Sequence, residues 1–434
     1  PQNRNEKTVI ACRLPIKTKT MISLPELLAP AADAECARAA LRHGADAVYI
    51  GVGPYNLRAR SKNAVPSELA ELLAFAHEKR SKVYVALNTM PVDETMPGIE
   101  SLLVTLAKKE IMPHAFIVSD PGVISLCRRH APSTALHLST QTGTFNSAAA
   151  AFWAGQGITR VVLPRELTLA QMEAICRASP IEMEAFVHGA MCMSVSGRCL
   201  LGVYTGRRHP NQGDCRQPCR FRYRVSPMYD NETETGEWFT VEEEDGAAPA
   251  RAFLFNSKDL CCLPILDRIV GTGVASVKIE GRNRSAHYVS SVVKVYRAAL
   301  DAIAAGGTYA VRPEWREELD RLDHRPYTTG FYAGEYALQD VNDSRPLPAM
   351  RIVGVVREIL AGRGAVVDVK NPFCEGDTLN VLPVRKEKMP FEVAIRRITD
   401  LEGNSLDRAL TNRLVIANAD QALAAGDMLR KGET

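Results

Sequence analysis

The sequence predicts a (β/α)8 barrel of the TIM type with a long cysteine-bearing insertion after its seventh strand, followed by a small all-β barrel domain. Three observations predict it. Short apolar runs that end in polar or charged residues alternate with stretches of helical spacing. Eight such strand-helix units follow one another, the number that closes a barrel. The rival, a doubly wound open sheet, lacks its main signature, because no G-x-G-x-x-G follows the first strand. A chain of 434 residues exceeds one ordinary domain, and 46% hydrophobic against 24% charged residues supplies material for a packed core.

The units run in order. Glu26 to Ala29 is the first strand, and Asp33 to His43 its helix. DAVYIG from Asp46 leads to the helical spacing of Pro66 to Lys79, and KVYVALN from Lys82 to a helix after Met96. HAFIVSD from His114 precedes a helix after Asp120, and the weaker run Ala135 to Leu138 one after Phe145. RVVLPRE from Arg160 is followed by Leu167 to Ala178. The seventh strand, EMEAFVHG from Glu182, meets its helix only at Ser257, and the eighth, SVKIEG from Ser276, leads to Ser285 to Ala304. Ser, Thr or Asp opens several of these helices, as residues that satisfy free N–H groups do. The expected organisation is an N-terminal extension (1–20), the barrel domain (21–310) with its insertion (189–256), a connector (311–348) and a C-terminal β-barrel domain (349–434). In the last, MRIVGVV, AVVDVK, DTLNVL and RLVIAN are strand runs without helices, with turn signals at Gly362, Gly364, Gly376 and Gly403.

Fifty-three basic against 50 acidic residues give +3, so binding of nucleic acid would need a local patch rather than bulk charge. No apolar run approaches the roughly 20 residues of a membrane span. The first twenty residues hold no apolar stretch of the kind a secretory signal requires, and the cytoplasm is the expected compartment. In a barrel, chemistry sits where strands end. The candidates there are Asn88, Asp120, Gln141, Arg165, Glu166, His188, Glu280 and Arg282, and each fits a helix cap or structural ion pair equally well.

The insertion fills 189–256, where such connections usually run about 2–6 residues. It holds Cys192, Cys199, Cys215 and Cys219 as C-x6-C-x15-C-x3-C. Four soft thiolates at the chemical end of a barrel point to a metal or iron-sulfur site. Buried free cysteines are the bland alternative, but a Gly- and Arg-rich loop does not resemble a packed core. Structural zinc favours C-x2–4-C knuckles, which a six-residue gap matches poorly; spacing therefore leans toward iron-sulfur and leaves zinc open. Cys261 or Cys262 could replace a ligand, although the helix expected there favours packing. Cys12, Cys36, Cys127, Cys176 and Cys374 stand alone as packing residues.

The same segment is basic. Arg198, Arg207, Arg208, Arg216, Arg220, Arg222 and Arg224 face one acid, Asp214. Guanidinium groups bind phosphate bidentately and stack on bases, and Tyr204, Phe221 and Tyr223 interleave as stacking platforms. Arg207, Arg208, Arg216, Arg220 and Arg222 are the RNA-binding candidates. The competing reading is charge compensation by the acidic stretch Asp230 to Asp245, expected as a hairpin pairing Trp238 to Val241 with Ala252 to Phe255.

EAFVHGAMCMSVSGRCLLG from Glu184 and HPNQGDCRQPCR from His209 resemble the signature of the collagenase-like peptidase family of unassigned mechanism. ELLAPA, GADAVYIG, SDPG, FNSKDL and KIEGR are similar too, so the resemblance spans Met21 to Gly334. It implies an iron-sulfur protein, with a [4Fe-4S] cluster on the four cysteines, that hydroxylates RNA without molecular oxygen. Chain length and the C-terminal strands bring it nearest to the branch that makes 5-hydroxyuridine at the tRNA wobble position, with prephenate as co-substrate and the tRNA anticodon region as partner. Hydroxylation of a ribosomal-RNA cytidine and peptidase action on collagen-like chains are the alternatives; no G-x-S-x-G or H-E-x-x-H supports a hydrolase. For the two carboxylates of prephenate, Arg165 and Arg282 are the expected clamp, with Asn88 and Gln141 as further substrate contacts and His188 and Glu280 for proton transfer.

Overall fold

Apolar runs buried on both faces have one stable outcome when helices alternate with them, a parallel sheet wrapped by those helices. The computed structural model describes residues 24–224, 251–336, 338–340 and 350–432. Its first half runs β1 (Glu26–Pro30), α1 (Ala34–Arg42), β2 (Ala47–Gly51), α2 (Pro66–Glu78), β3 (Lys82–Leu87), α3 (Met96–Lys108), β4 (Ala115–Val118), α4 (Pro121–His130), β5 (Ala135–Leu138), α5 (Ser147–Gly155), β6 (Arg160–Val162), α6 (Leu169–Ala178) and β7 (Glu182–Ala190). The insertion carries α7 (Leu201–Gly206), β8 (Tyr223–Arg224) and β9 (Arg251–Ala252). Then come β10 (Asp259–Cys261), α8 (Leu266–Gly271), β11 (Ser276–Ile279), α9 (Ala286–Ala305), α10 (Pro313–Asp320) and β12 (Tyr327–Thr328).

Strands β1 to β7 pair in parallel in chain order, and β11 closes the ring against both β7 and β1, so the eight-stranded barrel is confirmed. Asp33, Asp120, Asn146, Thr168 and Ser285 cap their helices, each accepting a backbone N–H in the first turn. Asp120 is thereby a cap, with its carboxylate taken by the Val123 N–H at 3.0 Å.

One element differs from expectation. The helix foreseen from Ser257 begins at Leu266, because Asp259–Cys261 instead forms β10, antiparallel to the end of β7 with Cys261 opposite His188. A strand edge left unpaired by the departing end of β7 outweighs local helical spacing. Cys261 and Cys262 are buried there in the core. In the insertion Ala252 pairs with Tyr223 and Arg251 with Arg224; Trp238 to Val241 and the acidic stretch lie outside the described residues, as do Cys12 and the N-terminal extension.

The second domain comprises β13 (Met350–Leu360), β14 (Gly364–Val369), β15 (Phe373–Cys374), β16 (Thr378–Leu382), β17 (Phe391–Thr399), β18 (Arg408–Ala409), β19 (Leu414–Ala419) and β20 (Met428–Gly432). Six of them close an antiparallel barrel in the order β13-β14-β19-β17-β16-β20 around Val353, Val367, Leu379, Val393 and Leu429. It docks on α9 and α10. Arg430, with 0% exposure, donates to both oxygens of Glu318 at 2.5 and 2.9 Å and also reaches Asn380, His287 and Ser291. Lys294 of α9 donates to the carbonyls of Pro383 and Arg385. Among the described residues no helix is long and apolar enough to cross a membrane.

Candidate functional site

A cavity of about 190 Å3 opens at the C-terminal ends of the barrel strands. Its floor comes from inward-facing strand residues. Lys278 of β11 donates to Glu184 of β7 at 2.8 Å, and its ammonium lies 4.4 Å from the centroid of the Tyr49 ring and 5.5 Å from that of Phe186. Beneath it Arg160 joins Glu184, Glu26 and Glu182, so the barrel interior holds a column of paired charges. Burial would neutralise Glu184, but Lys278, Arg160 and His137 overcome it and hold its pKa down at about 2.

The walls are strand-end residues. Asn88 accepts from the Leu57 N–H at 3.3 Å and donates to Ser139, which in turn donates to Gln141. Gln141 is fully buried and lines the cavity, and its Nε2 has no partner among the described residues. Arg165 lies over the Phe186 ring at 4.0 Å and donates to the Ala190 carbonyl at 2.8 Å, while Glu166 accepts the Ser196 N–H at 2.8 Å. These two neighbours therefore tie the insertion to the barrel. Arg58, from the loop after β2, pairs with Glu280 at 3.2 Å. Burial pushes the Glu280 pKa up, yet Arg58, Arg165, Arg284 and Arg220 outweigh it and leave the carboxyl below its ordinary value, ionised.

Arg282 lines the cavity but commits all three guanidinium nitrogens, to the Ala31 carbonyl, Asn56 and Asn63. It braces the 56–63 loop instead of presenting a free clamp. Gly51 is needed beneath it, since a Cβ there would stand 2.3 Å from Asn63 and 2.7 Å from Arg282. His188 departs furthest from expectation. A register shift between β7 and β11 sets Phe186 opposite Lys278 but His188 opposite Ile279, so His188 turns outward. Its buried ring packs against Tyr288, Tyr296 and Tyr327, and burial drives its pKa down to about 3. A neutral imidazole outside the cavity has no geometry for proton transfer within it.

The insertion roofs the cavity, and Cys192, Cys199, Cys215 and Cys219 all line it. Gly189, at φ +105°, makes this possible: a Cβ there would meet the Glu280 carbonyl at 2.4 Å, so only glycine lets β7 pass that close on its way to Cys192. Asn211 pins Cys199 through bonds to its N–H and its carbonyl. The Leu201 N–H donates to the Cys199 sulfur at 3.3 Å and the Gln217 N–H to the Cys215 sulfur at 3.4 Å. Among the described residues no group of three or more His, Cys, Asp or Glu stands in ion-holding geometry. The donor set still suits an iron-sulfur cluster: four thiols share one cavity, and N–H donors already address two of the sulfurs, a contact that stabilises thiolate ligands. Cys261 is buried against Tyr296, outside this cavity.

The arginines divide. Arg207 and Arg216 are exposed, Arg220 lines the cavity, and Arg222 lies 5.0 Å from the Phe253 ring centroid. Arg208 is paired with Asp214 at 3.0 Å, and Arg60 shares that carboxylate. Tyr204 and Phe221 are 81% and 52% exposed, free faces beside the mouth. Tyr223 is half-buried, its hydroxyl donating to the Pro218 carbonyl, so it serves the loop rather than a base.

Arg58, Glu184 and Lys278 were absent from the sequence candidates. Lys278 on β11 lies two before Glu280, which follows that strand, and Glu184 lies two before Phe186 on β7; period-two reading back from the strand ends would have found them. Arg58 carries no such signal.

Fold and site define a (β/α)8 barrel whose mouth is covered by a four-cysteine insertion, docked to a six-stranded β barrel. The chain belongs to Peptidase family U32: residues 32–342 match that family, and 349–430 match the Peptidase family U32 C-terminal domain. It is 36% identical to tRNA hydroxylation protein P1 of Bacillus subtilis over 94% of this chain and 95% of the relative. It is 35% identical to tRNA hydroxylation protein P of Escherichia coli, covering 82% and 86%. The 23S rRNA 5-hydroxycytidine C2501 synthase of Escherichia coli is 34% identical over 84% of this chain and 53% of that longer protein. RNA hydroxylation is thus the activity named for these relatives, on tRNA for two and on 23S rRNA for the third.

Proposed function

We propose that this chain is an RNA hydroxylase that forms 5-hydroxyuridine at the wobble position of tRNA, without molecular oxygen and with prephenate as co-substrate, in the cytoplasm. The observation that carries the reading is one cavity at the chemical end of the barrel, lined at once by four cysteines and by Arg58, Arg165, Arg220, Lys278 and Glu280. Likeness along nearly the whole chain to tRNA hydroxylation proteins supports the choice of tRNA. Among the described lining residues there is no histidine, so a nucleophile-histidine pair of the kind acyl transfer uses is not assembled there.

Placing a hydroxyl on a uracil carbon needs redox chemistry that ordinary side chains lack, and a cluster held by Cys192, Cys199, Cys215 and Cys219 would supply it. The chain's own residues do the rest. Arg165 and Lys278 offer charge to the carboxylates of prephenate, and Tyr49 and Phe186 offer ring faces to its carbon skeleton. Glu280, ionised and braced by Arg58, is a carboxylate base lining the cavity, a role that His188 does not share. Gln141 and Asn88 turn amides toward the same space for a base or a carbonyl.

The test is nucleoside mass spectrometry of tRNA from cells lacking the gene, with complementation by the wild-type chain and by Cys199→Ser. Loss of 5-hydroxyuridine, restored only by the wild type, is expected. Protein purified without oxygen should be brown, with about four irons and four sulfides per chain. Intact 5-hydroxyuridine with a missing ribosomal hydroxycytidine would reassign the substrate, and stoichiometric zinc without acid-labile sulfide would refute the cluster.

A further inference from the structure

Away from the cysteines, a groove of about 740 Å3 runs between the two domains. One wall carries Arg42 of α1 and Arg284 just before α9; the other carries Arg351 and Arg357 of β13 and Lys370 beyond β14. Glu35 and Asp323 also line it, Glu35 pairing with Arg357, while Asp368 pairs with Arg357 and Lys370 from behind and Asp259 with Arg284. Five cations thus stand against four carboxylates, and Arg42 and Arg351 carry no ion pair among the described residues. That excess registers at Arg42, whose pKa is lowered by burial and then by the charges of Arg357 and Arg38. Arg351 is exposed, with no ion-pair partner among the described residues.

The groove leads to the mouth. Asn283 and Arg284 line both it and a smaller hollow, and Arg58, Arg220 and Glu280 line both that hollow and the cysteine cavity. Its chemistry differs from that of the mouth. Tyr204 and Phe221 offer stacking faces beside the cysteines, whereas the rings that line the groove, His287 and Tyr288, are both buried, Tyr288 under Arg284. Cations without stacking faces match a duplex, whose bases are turned inward and whose phosphates face out; exposed rings suit unpaired bases. The walls are also held at a set separation by the buried Arg430–Glu318 pair.

We infer that this groove holds the phosphate backbone of a double-helical RNA segment while an unpaired nucleotide of the same molecule reaches the cysteine cavity. The inference rests on the RNA reading above and adds where the stem lies. It is tested by measuring binding of a tRNA transcript and of a single-stranded anticodon-loop oligonucleotide across a salt series, for the full-length wild type and the Arg42→Glu, Arg351→Glu, Lys370→Glu triple variant. The variant should bind tRNA at least about tenfold more weakly, with the salt slope smaller by roughly 0.9 per lost contact, and bind the oligonucleotide like the wild type. Should the triple variant melt early, Arg351→Glu alone, at an exposed position, carries the comparison with a slope change of about 0.9. Unchanged tRNA affinity and slope would overturn the groove and leave an RNA site at the mouth standing. A wild type that binds neither RNA would overturn both.

Discussion

Lys278 shows how a single residue couples the barrel interior to the site. Its ammonium faces the cavity while Glu184 holds it from below, so the charge is displayed without being lost to burial. Glu184 depends on it in return. A carboxyl held near pKa 2 against an ordinary 4.5 contributes stability that is complete above the ordinary value and is lost as pH falls toward the folded one. Lys278→Met removes the strongest of the charges that hold Glu184 down. We expect this variant to lose about 3 kcal/mol at neutral pH, while its stability falls less steeply between about pH 4.5 and 2 than that of the wild type. Urea melts across that range measure both. An equally steep acid loss would mean that Arg160 alone holds Glu184 ionised.

Among the elements, β7 and β20 settle the most. β7 passes through a register shift at Val187 and a left-handed glycine at Gly189, and these two irregularities turn His188 outward and deliver Cys192 to the cavity. β20 carries Arg430 into the seam between the domains, where it makes the close contacts of the buried Glu318 of α10, whose other cation, Arg321, stands off at 3.9 Å. Breaking such a pair costs far more than replacing it. Arg430→Met is therefore expected to destabilise the protein by about 3–5 kcal/mol, and Glu318→Leu added to it should recover much of that loss. Thermal melting of the two single variants and the double decides this; additive losses would show that the pair is not coupled.

The molecule as a whole consists of a barrel that holds the cysteines and a β domain fixed to its flank. Deleting Met350 to Thr434 leaves all four cysteines in place but strips partners from His287, Ser291, Lys294 and Glu318 and uncovers Ala39. The expected result is a melting point lower by on the order of 10 °C; on the proposed function, iron per folded chain stays nearly unchanged and tRNA binding falls sharply. Iron content and melting of the anaerobically purified truncation check it, and a folded truncation without iron would make the second domain part of the site.

Much of this was legible in the residues. Alternation of apolar runs with helical spacing carries the barrel, because a strand must bury two faces and a helix one stripe, and both demands are written in local periodicity. Cys192, Cys199, Cys215 and Cys219 stand out in the sequence as four thiols in one loop, and the fold brings all four to the lining of one cavity. Only the tertiary structure decided that β10 is a strand, that His188 faces away, that Arg282 is a brace and that Arg58 meets Glu280 across 222 residues of chain. Each of those outcomes depends on a register, an unpaired edge or a partner distant in sequence. Such quantities belong to pairs of elements and leave no mark in either one alone.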